Sequence, residues 1–191
     1  MALRFNQCEE IKSFLRTTST IIDLYESKKP EFINNVINWF KSAETILENN
    51  RLHIVSQVGA CRGNLLAAQR GIFSDGDTLK GRLTKRKNCE GVAIRMLTDS
   101  VELINATIDS DVKRFEDADK LCQIIVAIAD AKQLFATIQL IPSHEHRMAS
   151  IDAACTTDQD IATHMFNLKA IVHKQDALIL LEQGISRNDM A

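Results

Sequence analysis

Five bases fall within eight residues: Lys80, Arg82, Lys85, Arg86 and Lys87. Clustered Lys and Arg neutralise anions, and on a nucleic acid they displace condensed counterions. The same cluster would equally dock an acidic protein or a lipid head group. From Arg62 to Arg95 there are eight bases against three acids, a local charge of +5, so the rest of the chain carries −7 to reach the total of −2. The plain reading of such a run is a solvated loop. Apart from Phe73 no aromatic residue accompanies the bases, so a stacking platform for single strands has no support. No G-x-x-x-x-G-K-[ST] occurs, which excludes the nucleotide-binding P-loop.

Three other groups of residues have chemistry within reach. Gly59-x-x-x-Gly63 puts two glycines on one helical face, where another helix can approach closely. That pattern belongs to membranes and is weak in a water-soluble chain. His144-Glu145-His146 offers two imidazoles, with His164 or His173 as a distant third. A metal needs three or four ligands and only two are local, so no metal and no cofactor is expected. Cysteines stand at 8, 61, 89, 122 and 155. They are widely spaced and include no C-x-x-C, so neither a zinc site nor a redox pair is indicated. On apolar stripes a free thiol acts as a small hydrophobe, and the set fits a reducing, cytoplasmic compartment. A Cys–His nucleophile has only sequence proximity in its favour, and no catalytic residue is assigned.

The elements that must position these residues are helical. The 191 residues include only two prolines and seven glycines, with 45% hydrophobic and 25% charged content. That composition favours long helices over a turn-rich β-fold and argues against disorder. The N-terminus has no apolar signal core. The most apolar window, Leu121–Ile141, contains Asp130 and Lys132 and reads as a core helix, so no membrane partner is expected.

Leu97, Val101, Ile104, Ile108, Val112, Phe115, Ala118, Cys122, Ile125 and Ala129 recur at steps of three and four, which keeps one stripe on one side of a helix. The spacing predicts a helix over about 89–141, with Asp109-Ser110-Asp111 as its doubtful point. Val36, Phe40, Ala43, Leu47, Ile54, Val58, Cys61, Leu65, Ala68 and Ile72 hold one phase over about 31–72, with Asn49-Asn50 as the doubtful point there. A helix from near Asn6 to Ser27 precedes them. A last helix, capped by Thr156 or Thr157, ends near Gly184 as its C′ residue.

The expectation is an all-α, single-domain helical bundle. It is built on a long antiparallel hairpin of 31–72 and 89–141, completed by shorter N- and C-terminal helices. Residues 73–88 form a glycine-rich basic loop at its tip, and 186–191 a frayed tail. The function expected is a non-enzymatic, oligomeric interaction or assembly protein that docks an anionic protein partner at the basic cluster. Nucleic-acid binding by Lys80–Lys87 is the alternative, and a metal-dependent or Cys–His enzyme is a third.

Overall fold

The computed structural model describes residues 2–73 and 84–188. Among them every regular element is helical: α1 (Phe5–Arg16), α2 (Thr18–Glu26), α3 (Phe32–Asn49), α4 (Val55–Gln69), α5 (Lys85–Ala131), a short 3₁₀ turn (Ile138–Leu140), α6 (His144–Thr157), α7 (Gln159–Ile171) and α8 (Lys174–Asn188). No helix is long and apolar enough to cross a membrane. By internal packing the chain divides into two compact units. One is Asn6–Asp109; the other is Ser110–Ala191 together with the first residues to Phe5.

In the first unit the expected N-terminal helix is two. The Thr17 hydroxyl donates to the Phe14 carbonyl at 2.6 Å, drawing that backbone acceptor into a local turn between α1 and α2. The helix expected over 31–72 is also two. Val36, Phe40, Ala43, Leu47, Ile54, Val58, Leu65 and Ala68 are all buried, as their phase requires, while Ile72 is 66% exposed. The chain nevertheless turns after Asn49. Arg51 takes a left-handed φ of 56°, and the Leu52 N–H reaches back to the Leu47 carbonyl at 2.9 Å. This is the bonding of a Schellman stop. α4 then packs back along α3, so no single helix spans 31–72 to pair with α5 along its length.

The α3–α4 pair is clasped by Arg62, whose Nε and Nη2 donate to the two carboxylate oxygens of Glu44 at 2.7 and 3.0 Å. With both side chains partly exposed, such a pair contributes about 1 kcal/mol or less. Each fully buried Phe40, Leu47 or Ile54 contributes about 1.5–3 kcal/mol. Apolar burial therefore holds the pair, and the ion pair sets its alignment. Trp39 stacks on Phe14 at 5.0 Å between centroids, joining α3 to α1.

α5 runs without a break through Asp109-Ser110-Asp111 and at 1.5 Å per residue is roughly 70 Å long. It stops at Ala131, ten residues before the expected end at Ile141. Gln133 has a φ of 56°, and the Leu134 N–H closes onto the Ala129 carbonyl at 2.9 Å.

In the second unit the later part of α5 packs with α6, α7 and α8. Cys122, Ile125 and Ala129 of α5, Ile151 and Cys155 of α6, Ile161 and Leu168 of α7 and Leu181 of α8 are buried. The chain's first residues belong to this unit. Leu3 donates its N–H to Asp111 Oδ2 at 3.3 Å and accepts at its carbonyl from Arg114 Nη2 at 2.6 Å. Arg4 meets the buried carboxylate of Asp176 at 2.8 Å, and Phe5 packs edge-on against Phe115.

The cap of α7 is Asp158 rather than either threonine. Its carboxylate accepts from the N–H groups of Asp160 and Ile161 at 3.0 and 3.2 Å. The hydroxyls of Thr156 and Thr157 instead turn back to carbonyls one turn earlier in α6. A hydrogen bond from Lys132 is the main cause that holds the Asp158 carboxyl below its usual range. The single C-terminal helix expected is divided at Val172, which is extended (φ −127°, ψ 158°). His173 Nδ1 then accepts from the Gln175 N–H at 3.3 Å and starts α8. Gly184 lies inside α8 rather than after it. A Cβ there would stand 3.2 Å from Val126 Cγ2, so this glycine lets α8 approach α5. Residues 186–188, expected to fray, continue α8.

Candidate functional site

Three of the five clustered bases fall on the first turn of α5. Thr84 caps the helix: its hydroxyl accepts from the Lys87 N–H at 3.4 Å, and its carbonyl accepts from the Asn88 N–H at 3.1 Å. Lys85, Arg86 and Lys87 follow, all exposed, with no acidic residue in that turn. So the last part of the expected 73–88 loop is helix. Lys80 and Arg82 lie outside the described residues.

This placement opposes the usual electrostatics. The N-terminal end of a helix carries unpaired N–H groups and a partial positive charge, and each cation there costs about 0.3–1 kcal/mol. Two features offset the cost. Arg86 Nε meets Glu90 Oε1 at 2.8 Å one turn on. Lys85 extends over the end of α4, where its Nζ would stand 3.4 Å from a Cβ on Gly71. Gly71, with φ +88°, is the left-handed stop of α4, and the Ile72 N–H bonds the Ala67 carbonyl at 3.0 Å. The Lys85 ammonium therefore lies beside the negative end of that helix. Among the described residues no carboxylate pairs with Lys85 or Lys87.

The two glycines of α4 differ from each other. A Cβ on Gly59 would meet the Glu44 carboxylate at 3.6 Å, so Gly59 faces α3. Over Gly63 there is nothing within 4 Å, and no helix of the described chain uses the space it leaves.

The histidines do not assemble. His144 and His146 sit on the exposed first turn of α6, His164 on α7 and His173 at the start of α8, while His53 lies in the α3–α4 turn. Among the described residues no group of three His, Cys, Asp or Glu is placed to hold a metal ion. His144 Nδ1 is instead 3.0 Å from Glu182 Oε2, and Glu182 Oε1 accepts from Arg147 Nε at 2.7 Å. Arg147 Nη1 also donates to the carbonyls of Ile141 and Pro142 at 2.9 and 3.1 Å, tying off the turn before α6. This His144–Glu182–Arg147 cluster has no local signature, since Glu182 lies 38 and 35 residues from His144 and Arg147.

Two of the thiols, Cys122 and Cys155, are poor nucleophiles. Cys8, Cys89, Cys122 and Cys155 are buried and Cys61 is half-buried, all unbridged. Burial pushes Cys122 and Cys155 up to about 12, far from the thiolate a nucleophile needs at neutral pH.

No family model matches the sequence, and neither a characterised protein nor a solved structure is similar enough to count as a match.

Proposed function

We propose that this protein is a non-enzymatic helical interaction protein that docks an acidic protein surface on the N-terminal turn of α5, using Lys85, Arg86 and Lys87 with Lys80 and Arg82 of the preceding segment. The observation that carries the reading is the placement of three cations on a helix turn whose own field disfavours them. Among the described residues Glu90 offsets Arg86 and the C-terminal end of α4 offsets Lys85, which leaves Lys87 uncompensated. An anionic partner would relieve that repulsion and meet the free N–H groups of the turn as well. Self-association belongs to the same reading. The open face at Gly63 offers a helix of a second copy a close approach, and Gly63 costs α4 about 1 kcal/mol relative to alanine without a packing role inside the described chain.

The test titrates the full chain with an acidic polypeptide and with duplex DNA over a salt series. Docking of an acidic protein predicts tighter binding of the polypeptide and roughly tenfold loss in Arg86→Gln/Lys87→Gln. Tighter binding of DNA, with a log–log salt slope that falls by about 2 in the same variant, would assign the turn to nucleic acid. Binding that ignores both salt and the variant would overturn the reading. For self-association, Gly63→Leu should favour the monomer in equilibrium sedimentation while leaving α4 helical. A wild-type chain that stays monomeric at every concentration would remove that part.

A further inference from the structure

The residues before α1 are held by a surface far in sequence from the basic turn. Ala2, Leu3 and Arg4 belong to no helix. With Phe5 they pack in the unit of residues 110–191, whereas the chain from Asn6 to Asp109 forms the other unit. The division falls between Phe5 and Asn6, so tertiary contacts alone hold the segment in place.

Those contacts engage each residue from Leu3 to Phe5. Asp111 Oδ2 accepts from the Leu3 N–H at 3.3 Å, and Arg114 Nη2 donates to the Leu3 carbonyl at 2.6 Å. Asp111 and Arg114 bond each other at 2.9 Å on one face of α5, so together they grip both backbone groups of one residue. The Leu3 and Phe5 side chains are buried, and the Phe5 ring meets Phe115 edge-on at 5.4 Å between centroids. Between them Arg4 Nε donates to Asp176 Oδ2 at 2.8 Å and Nη2 to Gln175 Oε1 at 3.2 Å, both in the first turn of α8. Asp176 is 3% exposed, and a carboxylate so buried needs a cation beside it. Main-chain hydrogen bonds that hold a segment, with side-chain contacts that select its sequence, are the makings of a peptide-recognition site. The pattern read here is apolar, Arg, aromatic.

We propose that this α5–α8 notch is a recognition site for that pattern, and that it takes the Leu3–Phe5 segment of a second copy of the chain in exchange for its own. The contacts are the same in either case. Exchange between copies therefore gives up no interaction and costs only the entropy of association. A foreign segment would have to displace one that already makes every contact, at the roughly millimolar effective concentration of an attached ligand. The exchange uses neither the basic turn of α5 nor the open face at Gly63, so it stands or falls apart from both.

The test uses full chains with single substitutions. Arg4→Glu sets a carboxylate against Asp176 and empties the notch of its own segment; Arg4→Gln, a milder change at a half-exposed side chain, is the second acceptor. A free peptide of residues 2–7 should give saturable amide shifts at residues 111–115 and 174–178 of either isotope-labelled acceptor, with a Kd of about 1 mM. The Arg4→Glu peptide should bind at least about tenfold more weakly. Asp176→Asn keeps the shape of the side chain and removes the charge that retains the segment. Unlabelled Asp176→Asn chain should therefore move the same resonances of the acceptor, and the Arg4→Glu/Asp176→Asn chain should not. The proposal is overturned if the peptide gives no saturable shift up to about 10 mM or if the Arg4→Glu peptide binds as tightly. It is also overturned if the Asp176→Asn chain leaves those resonances unmoved, or moves them no more than the double variant does.

Discussion

Asn49-Asn50-Arg51 and Asp109-Ser110-Asp111 interrupt their apolar stripes with the same kinds of residue, and the chain does opposite things at them. At the first it stops, turns and returns along α3. At the second α5 continues for another twenty residues. Local preference does not separate them, because Asn, Asp and Ser all compete with the helical backbone through short polar side chains. What separates them is what each side chain touches. Asn50 is 7% exposed and donates from Nδ2 to Glu10 Oε2 of α1 and to the Ile46 carbonyl, both at 2.9 Å. The bond to Glu10 holds this end of α3 beside α1. Asp109 and Ser110 stay exposed, where a helix tolerates them at small cost. Asp111 bonds Arg114 at 2.9 Å within the same helix and accepts from the Leu3 N–H. Ile108 on one side and Phe115 on the other are buried in continuous register, so a break would expose core.

The contrast can be broken most forcefully at Ser110. Ser110→Pro removes a helical hydrogen bond and clashes with the preceding turn, so urea unfolding should show a loss of about 3 kcal/mol or more. A loss under about 1 kcal/mol would mean that α5 is already interrupted there. Asn50→Ala comes next, with an expected cost of about 1–2 kcal/mol from the lost bond to the Glu10 carboxylate. No cost would show that this amide does not decide the turn. Arg51→Gly should act in the other direction. A left-handed φ is disfavoured for any residue with a Cβ, so glycine should add about 1 kcal/mol to stability. A decrease on thermal melting would contradict the Schellman stop. The smallest effect is expected from Ser110→Ala, a gain of about 0.4 kcal/mol from helix propensity. Alanine should therefore shift the melting midpoint up at 110 and down at 50, and equal signs would erase the distinction between the two segments.

The stop at Arg51 explains a wider failure of expectation. Among the described residues four helices end through a left-handed residue, and one of the four is the glycine that usually marks such an end: Gly71, beside Lys28, Arg51 and Gln133. At Lys28 the expected end at Ser27 holds, at Arg51 the only mark is the polar pair Asn49-Asn50, and at Gln133 the sequence carries none. The stripe does not betray the turn at Arg51 either. Leu47 and Ile54 are seven residues apart, about two helical turns, so the phase is the same whether the chain runs straight or folds back between them. Glycine misled in the opposite direction at Gly184, placed at a helix end by its type and found inside α8 against Val126.

The two candidate sites differ in the same way. The basic cluster is contiguous, so its presence was legible from residue types alone. Its placement on a helix turn, with Lys85 over the end of α4 and Arg86 paired with Glu90, was not. The His144–Glu182–Arg147 cluster was not legible at all. Ser143 to Cys155 reads from sequence as a short helix or an irregular connection, and nothing in it points to Glu182. Neither Arg147 nor Glu182 announces a partner 35 positions away.

The amino-acid sequence by itself determined that this chain is helical and most of the residues that its central helices bury, Ile72 being an exception. Both follow from composition and from a period of 3.6 residues, which every short window carries. Tertiary structure decided where the helices stop and which polar groups meet. A polar side chain within a stripe has two satisfactory fates, solvent or a buried partner, and only the arrival of Glu10 at Asn50 or Glu182 at Arg147 selects between them.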